Sequence, residues 1–183
     1  MIAGRIWKFG DNISTDLIMP GHSVYLPEEE RLRFVFQATR PGWAKNVRPG
    51  DLIVAGSNFG TGSSRPAPLS FRSLGIACLL ADSITDLFYR NCVSFGLLAL
   101  ECPGVAQAFE EDQTAEVSLE DFTVRNRTTG RILQAARVPE RLVQLMVGGG
   151  VFPLLESEGL IGPADLTEAS PRSTRANPPP SVK

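Results

Sequence analysis

Histidine occurs once in this chain, at His22, and cysteine three times, at Cys78, Cys92 and Cys102. One histidine cannot build a multi-histidine metal site, and no two cysteines stand in the Cys-x-x-Cys spacing of zinc or iron–sulfur ligands. Three widely spaced thiols fit a reducing compartment better than a disulfide framework. Positive charge is also short: the net charge of −2 argues against broad binding to nucleic acid or to an anionic membrane. No apolar run approaches the ~20 residues of a membrane span. The first residues lack the basic-then-apolar pattern of a signal peptide. The expectation is a cytoplasmic protein that binds no nucleic acid, no membrane and no metal of its own.

The chain is organised around residues 51–74, DLIVAGSNFGTGSSRPAPLSFRSL. Leu52, Ile53, Val54 and Ala55 read as a short buried strand after the turn signal Pro49-Gly50. Gly56, Gly60 and Gly62 follow, giving the backbone freedom for positive φ and close approach. Ser63, Ser64 and Arg65 come next, and Pro66 predicts a helix start. Strand, glycine loop and helix would place two hydroxyls and a guanidinium at a helix N-terminus, where an anion is favoured. A nucleotide phosphate loop needs a lysine after the glycines, and none follows Gly60 or Gly62. A serine hydrolase needs a Gly-x-Ser-x-Gly elbow, which is absent, and His22 is the only histidine to serve as base. A hydroxyl-and-arginine site for a carboxylate remains, beside the plain alternative of a glycine-rich turn without chemistry.

The flanking sequence predicts alternating elements. Residues 3–9 read as a strand closed by Gly10-Asp11-Asn12. Pro27 followed by Glu28, Glu29 and Glu30 predicts a helix over about 27–38, and Trp43 is the expected anchor of a loop over 40–50. Phe71 and Leu74 share a helical face that Gly75 ends. Residues 76–81 read as a buried strand, and Asp82 or Ser83 is expected to cap a helix carrying Ile84, Leu87, Phe88 and Cys92. Residues 97–100 read as another buried strand, so this half is a right-handed parallel βαβ series. Segments 115–119, 123–126 and 131–135 read as an antiparallel meander. Val138, Leu142, Leu145 and Met146 share one face of a helix beginning at Pro139 and ended by the glycines at 148–150. Residues 1–161 are expected to form one domain, and the proline-rich residues 162–183 a disordered tail.

Three segments together resemble a known family. GSNFGTGSSR at 56–65 is similar to the signature of the aconitase superfamily's swivelling domain, DNISTDLIMP at 11–20 resembles its first motif, and ADSITDLFYRN at 81–91 with GLLAL at 96–100 resembles its third. The length resembles a free-standing small subunit of the isopropylmalate dehydratase type rather than a full aconitase. The resemblance implies an α/β fold, a three-layer swivelling domain on a mixed, largely parallel sheet. It implies a hydro-lyase acting on a small hydroxy-dicarboxylate, with a 4Fe-4S cluster held by a separate iron–sulfur large subunit and none bound by this chain. Carried over by motif, Ser63 is the catalytic base, Asp16 belongs to the same catalytic site, and Gly62, Ser64 and Arg65 bind the substrate carboxylate. The loop after Pro20 selects the variable group. Ser23, Val24, Tyr25 and Leu26 carry no charge there, so Tyr25 and Leu26 are expected to face an alkyl group. The implied substrate is an alkyl-substituted malate such as isopropylmalate, with a methyl-branched malate or homoaconitate as alternatives. A non-catalytic carboxylate-binding module is the alternative of another class. One departure stands out: the family usually carries Glu-His after the arginine, where this chain has Pro66, Ala67 and Pro68.

Overall fold

The structure, a computed structural model, describes residues 1–162. The proline-rich tail expected from residue 162 onward therefore lies outside the described residues, save Gly162. The chain runs β1 (Ile2–Lys8), α1 (Thr15–Ile18), a 3-10 turn (Gly21–Tyr25), α2 (Glu28–Leu32), α3 (Trp43–Asn46), β2 (Leu52–Ala55) and α4 (Ala67–Ser73). It continues through β3 (Cys78–Ala81), α5 (Asp86–Phe95), β4 (Ala99–Glu101), α6 (Val105–Ala108), β5 (Thr114–Val117), β6 (Thr123–Asn126), β7 (Ile132–Gln134), α7 (Glu140–Val147) and α8 (Val151–Ser157).

One seven-stranded sheet carries these elements in the order β4-β3-β2-β1-β5-β6-β7. The pairs β1–β2, β2–β3 and β3–β4 are parallel, and β1–β5, β5–β6 and β6–β7 antiparallel. The sheet is thus mixed, as expected, but evenly divided rather than largely parallel, because the meander joins edge-on to β1. β1 divides its own pairing: Ile6, Trp7 and Lys8 face β2, while Ile2, Ala3, Gly4 and Arg5 face β5. Every residue of β2 and β3 is buried, as strands covered on both faces must be. β6 alternates buried and more exposed positions, the pattern of a sheet with one wet face.

The core between sheet and helices is rich in aromatics. Phe9 stacks on Phe36 at 4.2 Å, Trp43 meets Phe36 edge-on at 5.0 Å, and Phe36 stacks on Phe71 at 5.7 Å. Trp43 is buried, as its predicted anchoring role requires. This cluster also explains why the helix expected over 27–38 stops at Leu32. Phe36 takes a φ of +55°, which turns its ring under α4 and donates its N–H to Ile18 O at 3.0 Å; a continued helix would point the ring elsewhere.

Smaller departures have local causes. The strand expected from residue 76 starts at Cys78, because the N–H of Ile76 is already bound to Phe71 O. Neither Asp82 nor Ser83 caps α5, whose N-cap is Thr85; Ser83 Oγ accepts instead from Asn58 N at 2.9 Å. Leu87 is exposed rather than buried on the α5 face. After the glycines at 148–150 the chain forms α8, which the sequence reading did not anticipate. At the edge of β2, Asp51 is buried and holds the loop to β1. It accepts from Arg5 Nη2 at 2.7 Å, from Trp7 Nε1 at 2.8 Å and from Arg48 N at 2.9 Å.

Candidate functional site

The segments after β1, β2 and β3 all leave the sheet at the carboxyl ends of parallel strands, the usual place for a ligand crevice in such folds. Here they interlock. Thr15 N donates to Thr61 O at 2.7 Å, Gly60 N to Ile13 O at 2.7 Å, and Asn12 N to Ser57 O at 2.8 Å. Asp11 Oδ1 accepts from Ser57 N at 2.8 Å. Thr85 closes the other side, its N–H on Phe59 O at 3.0 Å and its hydroxyl on Gly60 O at 2.8 Å. The three sequence motifs are therefore one structural unit.

Glycine is required at its centre. Gly60 has a φ of +85°, and a Cβ there would sit 2.1 Å from Cγ of the buried Phe88. Gly62 has a φ of +100°, and a Cβ there would come within 3.1 Å of Thr15 Oγ1. The two glycines let the loop pass flat over α5 and α1 and then present the next three residues.

Those residues are Ser63, Ser64 and Arg65. The sequence reading puts them at a helix N-terminus; α4 begins at Ala67 with Pro66 as its N-cap, so they stand in the loop directly before it. A residue before proline is disfavoured in the α region, so Arg65 cannot open a helix, and both serines stay in the loop. Both are exposed, and Arg65 is partly buried. Arg65 is held firmly. Its Nη2 pairs with Asp16 and its Nη1 donates to Met19 O. The Arg65 side chain is 13% exposed and the Asp16 carboxylate 66%, so the acid lies outside and fixes the inner guanidinium. A guanidinium carries five N–H donors, which leaves others for a ligand. Gly21 lies over the same guanidinium, its added Cβ 3.6 Å from Nη2.

The remaining predicted residues are less closely gathered. Tyr25, at the end of the 3-10 turn, is 91% exposed, and Leu26 is half-buried. Val24 packs against the core rather than standing free. His22 is exposed and meets Phe34 edge-on at 5.0 Å. Two side chains without an assigned role in the sequence reading belong to the unit. Thr15 is buried, with its hydroxyl unpartnered, beside Gly62. Asn91, on α5, donates from Nδ2 to Ser64 Oγ at 3.1 Å. Its presence in the third motif was the one available signal.

The chain's own thiols do not fit a cluster. Cys78, Cys92 and Cys102 are buried in the core. Burial pushes all three thiols up, Cys102 to about 11 with Asp82 adding to the effect, whereas a ligand must be a thiolate. Among the described residues no group of three or more His, Cys, Asp or Glu side chains could hold a metal ion. No described helix is long and apolar enough to cross a membrane.

The geometry has parallels among known proteins. The aconitase C-terminal domain family matches residues 11–104. The isopropylmalate/citramalate isomerase small subunit of Methanocaldococcus jannaschii is 42% identical over 160 residues, covering 86% of this chain and 95% of that protein. A 3-isopropylmalate dehydratase small subunit of Methanopyrus kandleri is 43% identical over 161 residues, covering 87% and 95%. A crystal structure of 3-isopropylmalate dehydratase from Methanocaldococcus jannaschii superposes with a TM-score of 0.80 at 28% identity, covering 87% of this chain and 95% of that one. The family match spans all three interlocked segments, and the chain belongs to the aconitase C-terminal domain family.

Proposed function

We propose that this chain is the small subunit of a hydro-lyase that dehydrates and rehydrates an alkyl-substituted malate, with isopropylmalate as the preferred substrate. The observation that carries the reading is the constellation of two exposed serines beside an arginine fixed by Asp16, in a chain that covers 95% of the length of two curated small subunits named for isopropylmalate. Ser63 is the base. It takes the proton from the carbon next to a carboxylate, and hydroxide leaves the neighbouring carbon; the reverse steps add water with the positions exchanged. Ser64 and Arg65, with the backbone at Gly62, hold the carboxylate. Arg65 supplies planar, bidentate donors, and Asp16 holds it in register. Arg65 and groups across the assembled site stabilise a Ser63 alkoxide.

The 4Fe-4S cluster belongs to the iron–sulfur large subunit, where it supplies a Lewis acid for the substrate hydroxyl. The small subunit closes over it, in a cytoplasmic enzyme. Tyr25 and Leu26 stand on the uncharged loop and face the variable group. Burying an alkyl group gains about 0.8 kcal/mol per methylene, whereas a buried, unpartnered carboxylate costs several kcal/mol. Arg33 is exposed and turned to solvent, and Arg31 is half-buried on α2. A second reading, a smaller methyl-branched malate, is favoured by the citramalate in the name of one relative. The test is kcat/KM for isopropylmalate, citramalate, dimethylmalate, citrate and homocitrate with the co-expressed subunits. Isopropylmalate should lead by at least about tenfold over the tricarboxylates. A lead for citrate or homocitrate would sink the alkyl reading, and one for citramalate would select the second.

A further inference from the structure

Asn91 is joined to Ser64 across the glycine loop, and the direction of that hydrogen bond has chemical content. Asn91 Nδ2 stands 3.1 Å from Ser64 Oγ, while Oδ1 is 3.5 Å away. A hydroxyl donating to oxygen closes to about 2.5–3.0 Å, so the amide is the donor and the serine oxygen the acceptor. The serine's own proton is then left uncommitted. The helix that carries the amide is fixed to the loop over its preceding turns, where Phe88 lies beneath Gly60 and Thr85 holds Gly60 O and Phe59 O. Cys92, the next residue, is buried in the core.

The geometry points to Asn91 as a positioning residue for substrate binding, which sets Ser64 as an outward hydrogen-bond donor to the substrate carboxylate. This rests on the reading of Ser64 given under Proposed function. By occupying the oxygen's inner lone pair with an N–H, Asn91 turns the O–H away from α5, toward the open side of the loop. An acceptor at the same place would do the reverse. It would draw the hydroxyl proton inward and present only oxygen lone pairs to an anion.

Asn91→Asp makes that exchange with almost no change of shape. With the co-expressed large subunit and isopropylmalate, N91D should raise KM about tenfold or more at neutral pH, with a smaller change in kcat. As pH falls, the variant's carboxyl protonates and regains an O–H donor, so its KM should move back toward the wild-type value measured at the same pH. Asn91→Ala, which leaves the serine hydroxyl free to rotate, should raise KM less and show no such recovery. A wild-type KM in N91D, or an equal, pH-independent rise in both variants, overturns the positioning role while the enzyme reading stands. If the assembled wild type turns over none of the malates, the enzyme reading itself fails and takes this role with it.

Discussion

Ser63, the proposed base, and Asp51 stand for two uses of a single side chain, one chemical and one structural. Ser63→Ala should lower kcat of the assembled enzyme by about 100- to 10,000-fold, while co-purification with the large subunit persists, because the side chain is exposed. Arg65→Lys should also reduce kcat/KM: a single ammonium cannot hold Asp16, the Met19 carbonyl and a carboxylate at once. Asp51 carries no chemistry. Burial alone would push its carboxyl up, but the Arg5 guanidinium, the Arg48 N–H and the Trp7 indole together hold it below the usual carboxylate range. A carboxyl lowered on folding contributes stability above its unfolded pKa, near ~3.9, and that contribution fades as pH falls through the lower folded value. Asp51→Asn should therefore cost about 1–3 kcal/mol at pH 7. The gap between wild type and variant in urea midpoint should close under strongly acidic conditions. A constant gap would mean that the charge is irrelevant.

Among the elements, the glycine loop and α5 meet closely. Gly60→Ala adds a Cβ against Phe88 in a left-handed conformation, combining overpacking of about 1–3 kcal/mol with a backbone cost of about 1–2 kcal/mol. Gly130→Ala is the matched control: its φ is +79°, but open space surrounds it, so only the backbone cost applies. Thermal melts should show a much larger loss for Gly60→Ala, with turnover lost as well. Much of this was legible beforehand. β2 and β6 stand where their apolar run and alternation put them, because those patterns are local. The segment after Leu32 was not legible, since the turn at Phe36 exists to complete an aromatic cluster drawn from Phe9, Trp43 and Phe71, residues distant in the chain. α8 carries Pro153 in its first turn, where a proline loses no hydrogen bond. Ser63, Ser64 and Arg65 could be named from their motif. The bond from Asn91 to Ser64 depends on how α5 docks, which no local pattern encodes.

At the scale of the whole molecule, the site is open on the side where the serines stand, and the cysteines are locked in the core. The isolated chain should therefore purify without stoichiometric iron and show no hydratase activity under anaerobic conditions, both appearing only after co-expression with the large subunit. Full activity or bound iron in the lone chain would refute the two-subunit reading.

β1 is shared by both halves of the sheet, with Ile6 waiting on Leu52 and Ile2 on Val117. During synthesis it is made before either neighbour, so it has no ladder to join until β2 emerges, and only half of one until β5 does. Pairings this distant in sequence make folding slow and leave strand edges bare in the meantime. The nascent chain should thus depend on chaperones until the meander has left the ribosome, and refolding from denaturant should be slower and more concentration-sensitive than the domain's size alone suggests.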